Sequence, residues 1–138
     1  MKRFVLILAV FVSLSGNIFA QSTDSLTYMN LEPYYFHLNY ITDSSSVLID
    51  VREFFEYRRS RIRDAVHMPT SVGFEIAADT LGKENSLFLY CYNGYRSKKA
   101  AEFFISKGFT RAYNLDGGIV QWRKDNMPVE RTRVRRER

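Results

Sequence analysis

The only cysteine of the chain, Cys91, lies where a loop could make it a nucleophile. It opens the pattern Cys-x-x-Gly-x-Arg, whose other fixed members are Gly94 and Arg96. The loop follows an apolar run predicted as a buried strand, residues 86–90, and precedes an amphipathic pattern that predicts a helix over residues 97–107. A thiol at that point faces backbone N–H groups and the positive end of a helix dipole. Both features favour the thiolate over the thiol.

The usual role of a lone cysteine is that of a small buried hydrophobic residue. The residues after Cys91 favour the nucleophile instead. Gly94 can adopt backbone angles closed to other residues and lets amides approach an anion, and Arg96 adds a fixed positive charge nearby. The chain has two histidines, His37 and His67, and neither is close to Cys91 in sequence. We therefore expect the thiol to be activated by the helix field and by amides rather than by a paired base.

Apolar runs alternate with helical patterns along the chain, which predicts an α/β domain. The predicted strands are residues 47–51, 65–68, 86–90 and 112–115, and the predicted helices are residues 34–40, 53–59, 72–78, 97–107 and 119–126. For residues 72–78 an irregular segment is the alternative. Asn30 is the expected cap of the first helix, with Pro33 in its first turn. Continuous apolar strands suit a mostly parallel central sheet flanked by helices in three layers. Ligands bind at the carboxyl ends of such strands, where Cys91 would lie.

The first residues resemble a secretory signal peptide. Residues 1–20 have a basic start, an apolar stretch and a small residue, Ala20, at the expected cleavage point. The apolar stretch is about a dozen residues, shorter than the roughly 20 that a bilayer span needs, so a retained membrane anchor is the less favoured alternative. We expect an exported, periplasmic protein with no stable membrane span after cleavage. A flexible start at residues 21–29, one domain at residues 30–129 and a basic tail at residues 130–138 would remain.

The positive charge is concentrated at the two ends of the chain. The formal net charge is +5, but residues 130–138 hold five arginines against two glutamates, and Lys2 and Arg3 lie in the predicted signal peptide. We therefore expect no nucleic-acid binding by the domain. The tail could contact an acidic protein or anionic lipid, with a solvated chain end as the simpler alternative. A single cysteine also allows no internal disulfide, so another molecule must discharge an oxidised or sulfur-loaded Cys91.

Four segments, in order, resemble the landmarks of the single-domain rhodanese family. They are Asp-Val-Arg at residues 50–52, Ala-Val-His-Met-Pro at residues 65–69, the cysteine loop at residues 91–97, and Asp-Gly-Gly at residues 116–118 followed by Trp122. The resemblance implies a rhodanese-like fold and a sulfurtransferase. Such an enzyme takes a sulfane sulfur from a donor such as thiosulfate, holds it as a persulfide on the cysteine, and passes it to cyanide or a thiol. We expect no cofactor and no metal.

The resemblance also assigns roles to individual residues. Cys91 would be the nucleophile and persulfide carrier, with Arg96 as the second catalytic residue that closes the loop. The residues expected to cradle the anionic sulfur or bind substrate are Tyr92, Asn93, Gly94, Tyr95 and Ser97. Tyr92 and Tyr95 are either the rim of a pocket or ordinary surface tyrosines. Asp50 and Arg52 match a structural acid and base near the site, and a buried polar brace without contact to substrate is their favoured role.

The chain departs from the family pattern at residues 60–65. The family usually has Gly-His-Ile-Pro-Gly-Ala there, and this chain has Ser-Arg-Ile-Arg-Asp-Ala, so the turn lacks its usual glycines and proline. The arginines around it predict a solvated basic face, or else a docking patch for an acidic donor protein; they are Arg58, Arg59, Arg61 and Arg63. His67 is interpreted as packed or hydrogen-bonded rather than as a metal ligand. Packing roles are assigned to Trp122, Phe54, Phe55, Phe103, Phe104 and Phe109.

Two other functions are weighed against sulfur transfer. Phosphatases and arsenate reductases of the same fold have one residue more between the cysteine and the arginine than the four found here, and their wider loop suits a tetrahedral oxyanion. The tighter loop of this chain suits a single sulfur atom, and an acid that could protonate a leaving alcohol is missing from it. A non-catalytic module that senses redox state or binds a partner is the second alternative. Intact Cys91, Gly94 and Arg96 argue against that module.

Overall fold

The computed structural model describes residues 27–132. Twelve elements follow one another in this part of the chain: β1 (Met29–Leu31), α1 (Pro33–Thr42), β2 (Ser46–Asp50), α2 (Phe54–Arg59), β3 (Ser60–Arg61), β4 (Val66–His67), α3 (Ser71–Thr80), β5 (Ser86–Tyr90), α4 (Tyr95–Ser106), β6 (Ala112–Leu115), α5 (Gly118–Lys124) and β7 (Glu130–Arg131). Five strands form a sheet in the order β1-β6-β5-β2-β4, and every neighbouring pair is parallel. β3 and β7 form a separate antiparallel pair.

Two apolar cores lie on opposite faces of the central sheet. Alternation along β5 separates them, since Leu87 and Leu89 face one core and Phe88 and Tyr90 face the other. The first core packs the sheet against α3 and α4, and Cys91 belongs to it. The second packs the sheet against α1 and α5, with Trp122 fully buried in it. The three-layer architecture with a parallel sheet is therefore confirmed, and β5 is buried on both faces as its unbroken apolar run predicts.

The predicted elements are present with small shifts at their ends, but three strands, β1, β3 and β7, were not predicted. Met29–Leu31 forms β1 and pairs with β6, so the predicted flexible start at residues 21–29 extends too far. Asn30 lies in this strand, and the prediction that it caps α1 is wrong: the residue before α1 is Glu32, and its side chain makes no capping bond. Glu130–Arg131 forms β7, so the folded domain continues past residue 129.

The turn at residues 62–65 is built without the usual glycine. Asp64 occupies the left-handed region, with φ of 64°, a conformation that Asp and Asn tolerate better than most side chains. The Ala65 N–H donates to the Ile62 carbonyl at 3.3 Å, and the Tyr57 hydroxyl donates to the Ala65 carbonyl at 2.9 Å. Asp64 therefore carries the left-handed backbone of this turn, and the two hydrogen bonds hold the turn at Ala65.

The two ends of the chain, residues 1–26 and 133–138, lie outside the described residues. The predicted signal peptide and most of the basic tail fall there. Within residues 27–132, no helix has both the length and the apolar character required to cross a membrane.

Candidate active site

Cys91 directly follows β5 and lies at the amino end of α4. Gly94 is the residue before the helix, with φ of 93°, and its N–H donates to the Cys91 Sγ at 3.2 Å. The Ser97 hydroxyl, from the first turn of α4, lies 3.4 Å from the same sulfur and 3.2 Å from the Gly94 carbonyl. Cys91 is 0% exposed, so its sulfur is enclosed by the loop rather than open to solvent. The predicted contact between the thiol, loop amides and the helix amino end is present.

Opposing effects act on the pKa of Cys91, and the net result is a lowered pKa. Burial is the largest single effect and raises the pKa, because it disfavours the charged thiolate. Hydrogen bonding from the Ser97 hydroxyl and from the backbone amides of Ser97, Asn93 and Gly94 lowers the pKa and together outweighs burial. The site therefore favours a nucleophilic sulfur without a neighbouring histidine.

The cysteine loop packs closely on backbone atoms of the loop after β6, and Gly94 is the residue at the contact. A Cβ atom at Gly94 would lie 3.2 Å from the Leu115 carbonyl oxygen and 3.4 Å from the Gly117 nitrogen. Asn114 of β6 is fully buried beside it and donates to the Asn30 side chain at 2.8 Å. Gly94 thus serves both the positive φ and the tight stacking of the cysteine loop on the loop after β6.

The Asp-Gly-Gly segment fixes the other side of the cysteine loop. Backbone N–H groups of α5 donate to it, from Ile119 to the Cys91 carbonyl at 2.9 Å and from Val120 to the Tyr92 carbonyl at 3.1 Å. Gly118 has φ of 60°, and a Cβ atom there would lie 2.5 Å from the Tyr92 oxygen. Only glycine allows this approach, so Gly118 is a structural part of the site that sequence reasoning treated merely as a turn.

Arg96 forms ion pairs with carboxylates at the amino end of α2. Its guanidinium lies 3.2 Å from Glu56 and 4.0 Å from Glu53, and its side chain is 41% exposed. Glu53 and Glu56 also form the capping box of α2. Arg96 therefore joins the cysteine loop to the amino end of α2 in this structure, and the hydrogen bonds to Sγ described within residues 27–132 come from Gly94 and Ser97.

Asp50 and Arg52 form a buried ion pair at the carboxyl end of β2. The Arg52 Nη2 lies 2.6 Å from Asp50 Oδ2, and the same nitrogen donates to the Ser60 carbonyl at 2.7 Å. The predicted burial and pairing of these two side chains are confirmed. His67 packs beside it, with its Nε2 2.8 Å from the Arg52 carbonyl oxygen and its ring stacked on Tyr57 at 4.6 Å between centroids. The packed and hydrogen-bonded role of His67 is also confirmed.

Aromatic side chains near the site divide into buried and exposed groups. Trp122, Phe104 and Phe109 are buried, as predicted, and Phe103 packs against the first core. The packing role predicted for Phe54 and Phe55 is wrong, since they are 60% and 70% exposed. Both lie in the first turn of α2, and the Phe54 ring has its centroid 5.7 Å from that of His67. Tyr92 and Tyr95 in the cysteine loop are exposed as well.

A cleft rich in arginine opens beside the cysteine loop. Its volume is about 550 Å³, and we call it the arginine cleft; the lining residues that matter here are Arg52, Phe55, Arg59, Tyr92, Arg123 and Arg131. Tyr92 thus lies at the edge of a pocket. No local sequence pattern predicts this cleft, because its arginines come from segments far apart in the chain.

The four arginines of residues 58–63 do not share one solvated face. Arg59 lines the arginine cleft. Arg61 lies 3.3 Å from Glu130 and stacks on Tyr57 at 4.9 Å, and Arg63 lies 3.9 Å from Glu130. The prediction of a single basic face is therefore wrong. Within residues 27–132, no group of three or more His, Cys, Asp or Glu side chains is arranged to hold a metal ion.

The fold and the site together define an α/β domain with a cysteine at the carboxyl edge of a parallel sheet. The family model of the rhodanese-like domain matches residues 36–125, and the chain belongs to this family. The thiosulfate sulfurtransferase GlpE of Actinobacillus pleuropneumoniae serotype 7 is 30% identical over 90 residues, which cover 65% of this chain and 82% of that protein. Family membership and relatives of this name support a sulfurtransferase at the level of the family.

Other relatives have different names or show the fold alone. A tRNA uridine(34) hydroxylase of Hamiltonella defensa is 30% identical over 98 residues, which are 64% of this chain but 28% of that protein. A solved structure of a Bacillus halodurans protein superposes with a TM-score of 0.66 at 29% identity, covering 75% of this chain and 77% of that one. A rhodanese-like domain from Anabaena superposes with a TM-score of 0.67 at 21% identity, covering 78% of this chain and 83% of that one. At this identity the match shows a shared fold only.

Proposed function

We propose that this protein transfers sulfane sulfur from a donor such as thiosulfate to a thiophilic acceptor through a persulfide on Cys91. The observation that carries the proposal is the environment of the Cys91 sulfur. The sulfur accepts hydrogen bonds from the Gly94 N–H and the Ser97 hydroxyl, and the pKa of the thiol is lowered. Similarity to GlpE sulfurtransferases supports the proposal at the level of the family.

The chemistry requires no proton transfer by the protein. The Cys91 thiolate attacks the outer sulfur of thiosulfate, the sulfur–sulfur bond of the donor breaks, and sulfite leaves with the electron pair. Cyanide or a thiolate then attacks the terminal sulfur of the persulfide, and the bonding pair returns to the Cys91 Sγ. Each step exchanges one anion for another, which fits a site that has amides and a hydroxyl around the sulfur rather than a general base.

The burial of Cys91 adds a requirement for the loop. Because the residue is 0% exposed, a donor can reach Sγ only when side chains or backbone of the cysteine loop move. Tyr92 and Tyr95 flank the loop residues and are exposed, so they can move without disturbing a core. We propose that they form the rim through which donor and acceptor pass.

The first prediction tests the nucleophile directly. Incubating the protein with thiosulfate should add the mass of one sulfur atom to Cys91, and cyanide should then release thiocyanate and restore the original mass. The Cys91→Ser variant should show neither event and fold normally, since Ser is nearly isosteric. Intact-mass spectrometry and a thiocyanate assay measure the two steps, and equal rates in wild type and variant contradict the proposal.

Two alternatives are separated by the same measurements. A redox-sensing module would form sulfenic acid or a mixed disulfide on Cys91 with oxidants, yet release no thiocyanate. A phosphatase would hydrolyse a phosphate monoester; a structure from Rhodopseudomonas palustris titled a possible tyrosine phosphatase shares the fold, at 23% identity and a TM-score of 0.64. The four-residue spacing between Cys91 and Arg96 favours sulfur transfer over ester hydrolysis.

We further propose that the protein is exported to the periplasm. The support is the basic start and apolar stretch of residues 1–20, which are typical of a cleaved signal peptide.

A further inference from the structure

The arginine cleft holds positive charge that the described residues do not neutralise. Arg59, Arg123 and Arg131 line the cleft, and no ion pair within residues 27–132 involves any of them. Glu56, the acidic residue in the lining, is already paired with Arg96 at 3.2 Å. Clustered like charges in a concave surface raise the local concentration of anions.

Mutual repulsion among these arginines affects the pKa of one of them. The pKa of Arg123 is lowered, first by burial and then by the charges of Arg52, Arg131 and Arg59. Among residues 27–132 its guanidinium donates to one uncharged group, the Ser60 hydroxyl. An anion between these guanidiniums would remove the repulsion and supply the acceptors that they lack.

Arg52 contributes a donor that is already fixed in place. It is 2% exposed, and its Nε and Nη2 are bonded to Asp50 and to the Ser60 carbonyl. Its Nη1 has no hydrogen-bond partner within the described residues, and the side chain lines the cleft. A guanidinium held at two nitrogens loses little entropy when the third binds a ligand.

The dimensions of the cleft exceed those of an inorganic anion. A volume of about 550 Å³ lies in the range of pockets for small organic molecules, which is about 300 to 1,000 Å³. Phe55 and Tyr92 give the cleft two exposed aromatic surfaces against which a carbon skeleton can pack. Three guanidiniums without carboxylate partners suit a molecule with two or more anionic groups.

The cleft is joined to the cysteine loop through the backbone. Tyr92 lines the cleft and directly follows Cys91, and the Val120 N–H holds the Tyr92 carbonyl at 3.1 Å. Arg123 lies about one turn further along the same helix, α5. A molecule whose charged end binds the arginines therefore lies beside Tyr92, the residue that follows the nucleophile.

We propose that the arginine cleft binds the anionic end of a small polycarboxylate thiol, which is the sulfur acceptor of this protein. This inference rests on the proposed function and names the class of its acceptor. The acceptor thiolate attacks the terminal sulfur of the Cys91 persulfide, the sulfur–sulfur bond breaks, and the electron pair returns to Sγ. The products are the acceptor persulfide and the Cys91 thiolate.

The kinetic experiment compares two acceptors with thiosulfate as donor and sulfite release as the readout. Mercaptosuccinate carries two carboxylates, and 2-mercaptoethanol carries none. In the variant with Arg123→Gln and Arg131→Gln, the KM for mercaptosuccinate should rise about tenfold with kcat retained, as expected for the loss of two partly exposed charge-assisted hydrogen bonds. The KM for 2-mercaptoethanol should not change. The matched control, Arg58→Gln with Lys124→Gln, removes the same charge from residues outside the cleft lining and should leave both KM values unchanged.

A binding experiment keeps the inference separate from the activity. Succinate is titrated into the Cys91→Ser variant, and NMR follows the arginine side-chain Nε–H signals. Arg123 and Arg131 should shift with saturation, and the shifts should disappear when both are Gln. If the cleft variant changes both thiols equally, or if succinate shifts no arginine of the cleft, the inference is overturned. If succinate binds as expected while wild type transfers no sulfur to any acceptor, the proposed function fails and the anion site remains.

Discussion

Two of the donors around the Cys91 sulfur differ in what a substitution can remove. The Gly94 N–H belongs to the backbone and survives any change of side chain, whereas the Ser97 hydroxyl can be deleted. Ser97 is fully buried, and its hydroxyl is the largest of the effects that lower the pKa of Cys91. The thiolate is therefore stabilised in part by one replaceable group.

The second prediction concerns the Ser97→Ala variant. Loss of the hydroxyl should raise the pKa of Cys91, so alkylation by iodoacetamide at neutral pH should slow several-fold, as expected for one lost hydrogen bond to a charged acceptor. The pH profile of alkylation measures the shift. Ser106→Ala is the control, because that hydroxyl bonds to the Phe103 carbonyl at the other end of α4. Identical profiles for Ser97→Ala and wild type would falsify the role of the hydroxyl.

The lowered pKa of Cys91 also predicts how the unfolding free energy depends on pH. A group whose pKa is lowered by folding contributes stability that is fully present above its unfolded value, 9.0 for this thiol, and that is lost as the pH falls through its folded value. The unfolding free energy of wild type should therefore rise relative to that of Cys91→Ser as the pH increases toward 9.0.

At the scale of elements, the cysteine loop is positioned by two neighbours that meet it through the backbone. The loop after β6 lies under Gly94, and the start of α5 donates N–H groups to the carbonyls of Cys91 and Tyr92. Glycine at residue 118 is what permits the second contact. The Asp-Gly-Gly segment is therefore a part of the site even though none of its residues bonds the sulfur within the described structure.

The third prediction compares two glycines that share a positive φ and differ in surrounding space. Gly108→Ala, at φ of 91° with no atom within 4 Å of a new Cβ, should cost about 1 to 2 kcal/mol of unfolding free energy from backbone strain alone. Gly118→Ala adds a contact of 2.5 Å with the Tyr92 oxygen, so the cost should be larger by about 1 to 3 kcal/mol. Sulfur transfer should be lost in Gly118→Ala and kept in Gly108→Ala. Denaturant unfolding and the thiocyanate assay provide the data, and equal effects on both contradict the backbone argument.

Local sequence patterns were sufficient to predict most helices and strands and the position of Cys91. The unbroken apolar runs of β2 and β5 and the glycine before α4 are local signals, and they place Cys91 at the right sheet edge. β1 gave no such signal, because its three residues are largely exposed and its pairing is with β6. Asn30 resembles a helix cap in sequence, but its side chain bonds Asn114, which is 84 residues away.

At the scale of the whole molecule, the fold brings together arginines from separate elements to form the arginine cleft. The arginine cleft is lined by Arg59 from α2, Arg123 from α5 and Arg131 from β7. Arg131 approaches Arg59 because β7 pairs with β3, which directly follows α2. Arg96 was expected to place its charge near the sulfur because it is close in sequence, and its guanidinium pairs with Glu53 and Glu56 at the start of α2. Contacts of this kind depend on topology, and local spacing does not encode them.

The short β3–β7 pair should therefore matter both for stability and for the cleft. β7 pairs Arg131 with Ser60 and Glu130 with Arg61, and the Thr132 N–H donates to the Arg59 carbonyl at 3.4 Å. The ion pairs of Glu130 with Arg61 and Arg63 are solvent-exposed and add little. The backbone bonds, each contributing about 0.5 to 1.5 kcal/mol, are the larger part of what this pair supplies.

The last prediction truncates the protein on either side of β7. A chain ending at Thr132 keeps every contact described here and should melt as the longer chain does. A chain ending at Val129 loses β7, and its unfolding free energy should fall by about 1 to 2 kcal/mol, a decrease in Tm of roughly 4 to 12 °C for a domain of this size. It should also lose affinity for succinate, because Arg131 leaves the cleft, while the Cys91 loop keeps its contacts with α5 and still forms a persulfide with thiosulfate. Equal melting temperatures for the two truncations would show that the domain ends before residue 130, as the sequence alone suggested.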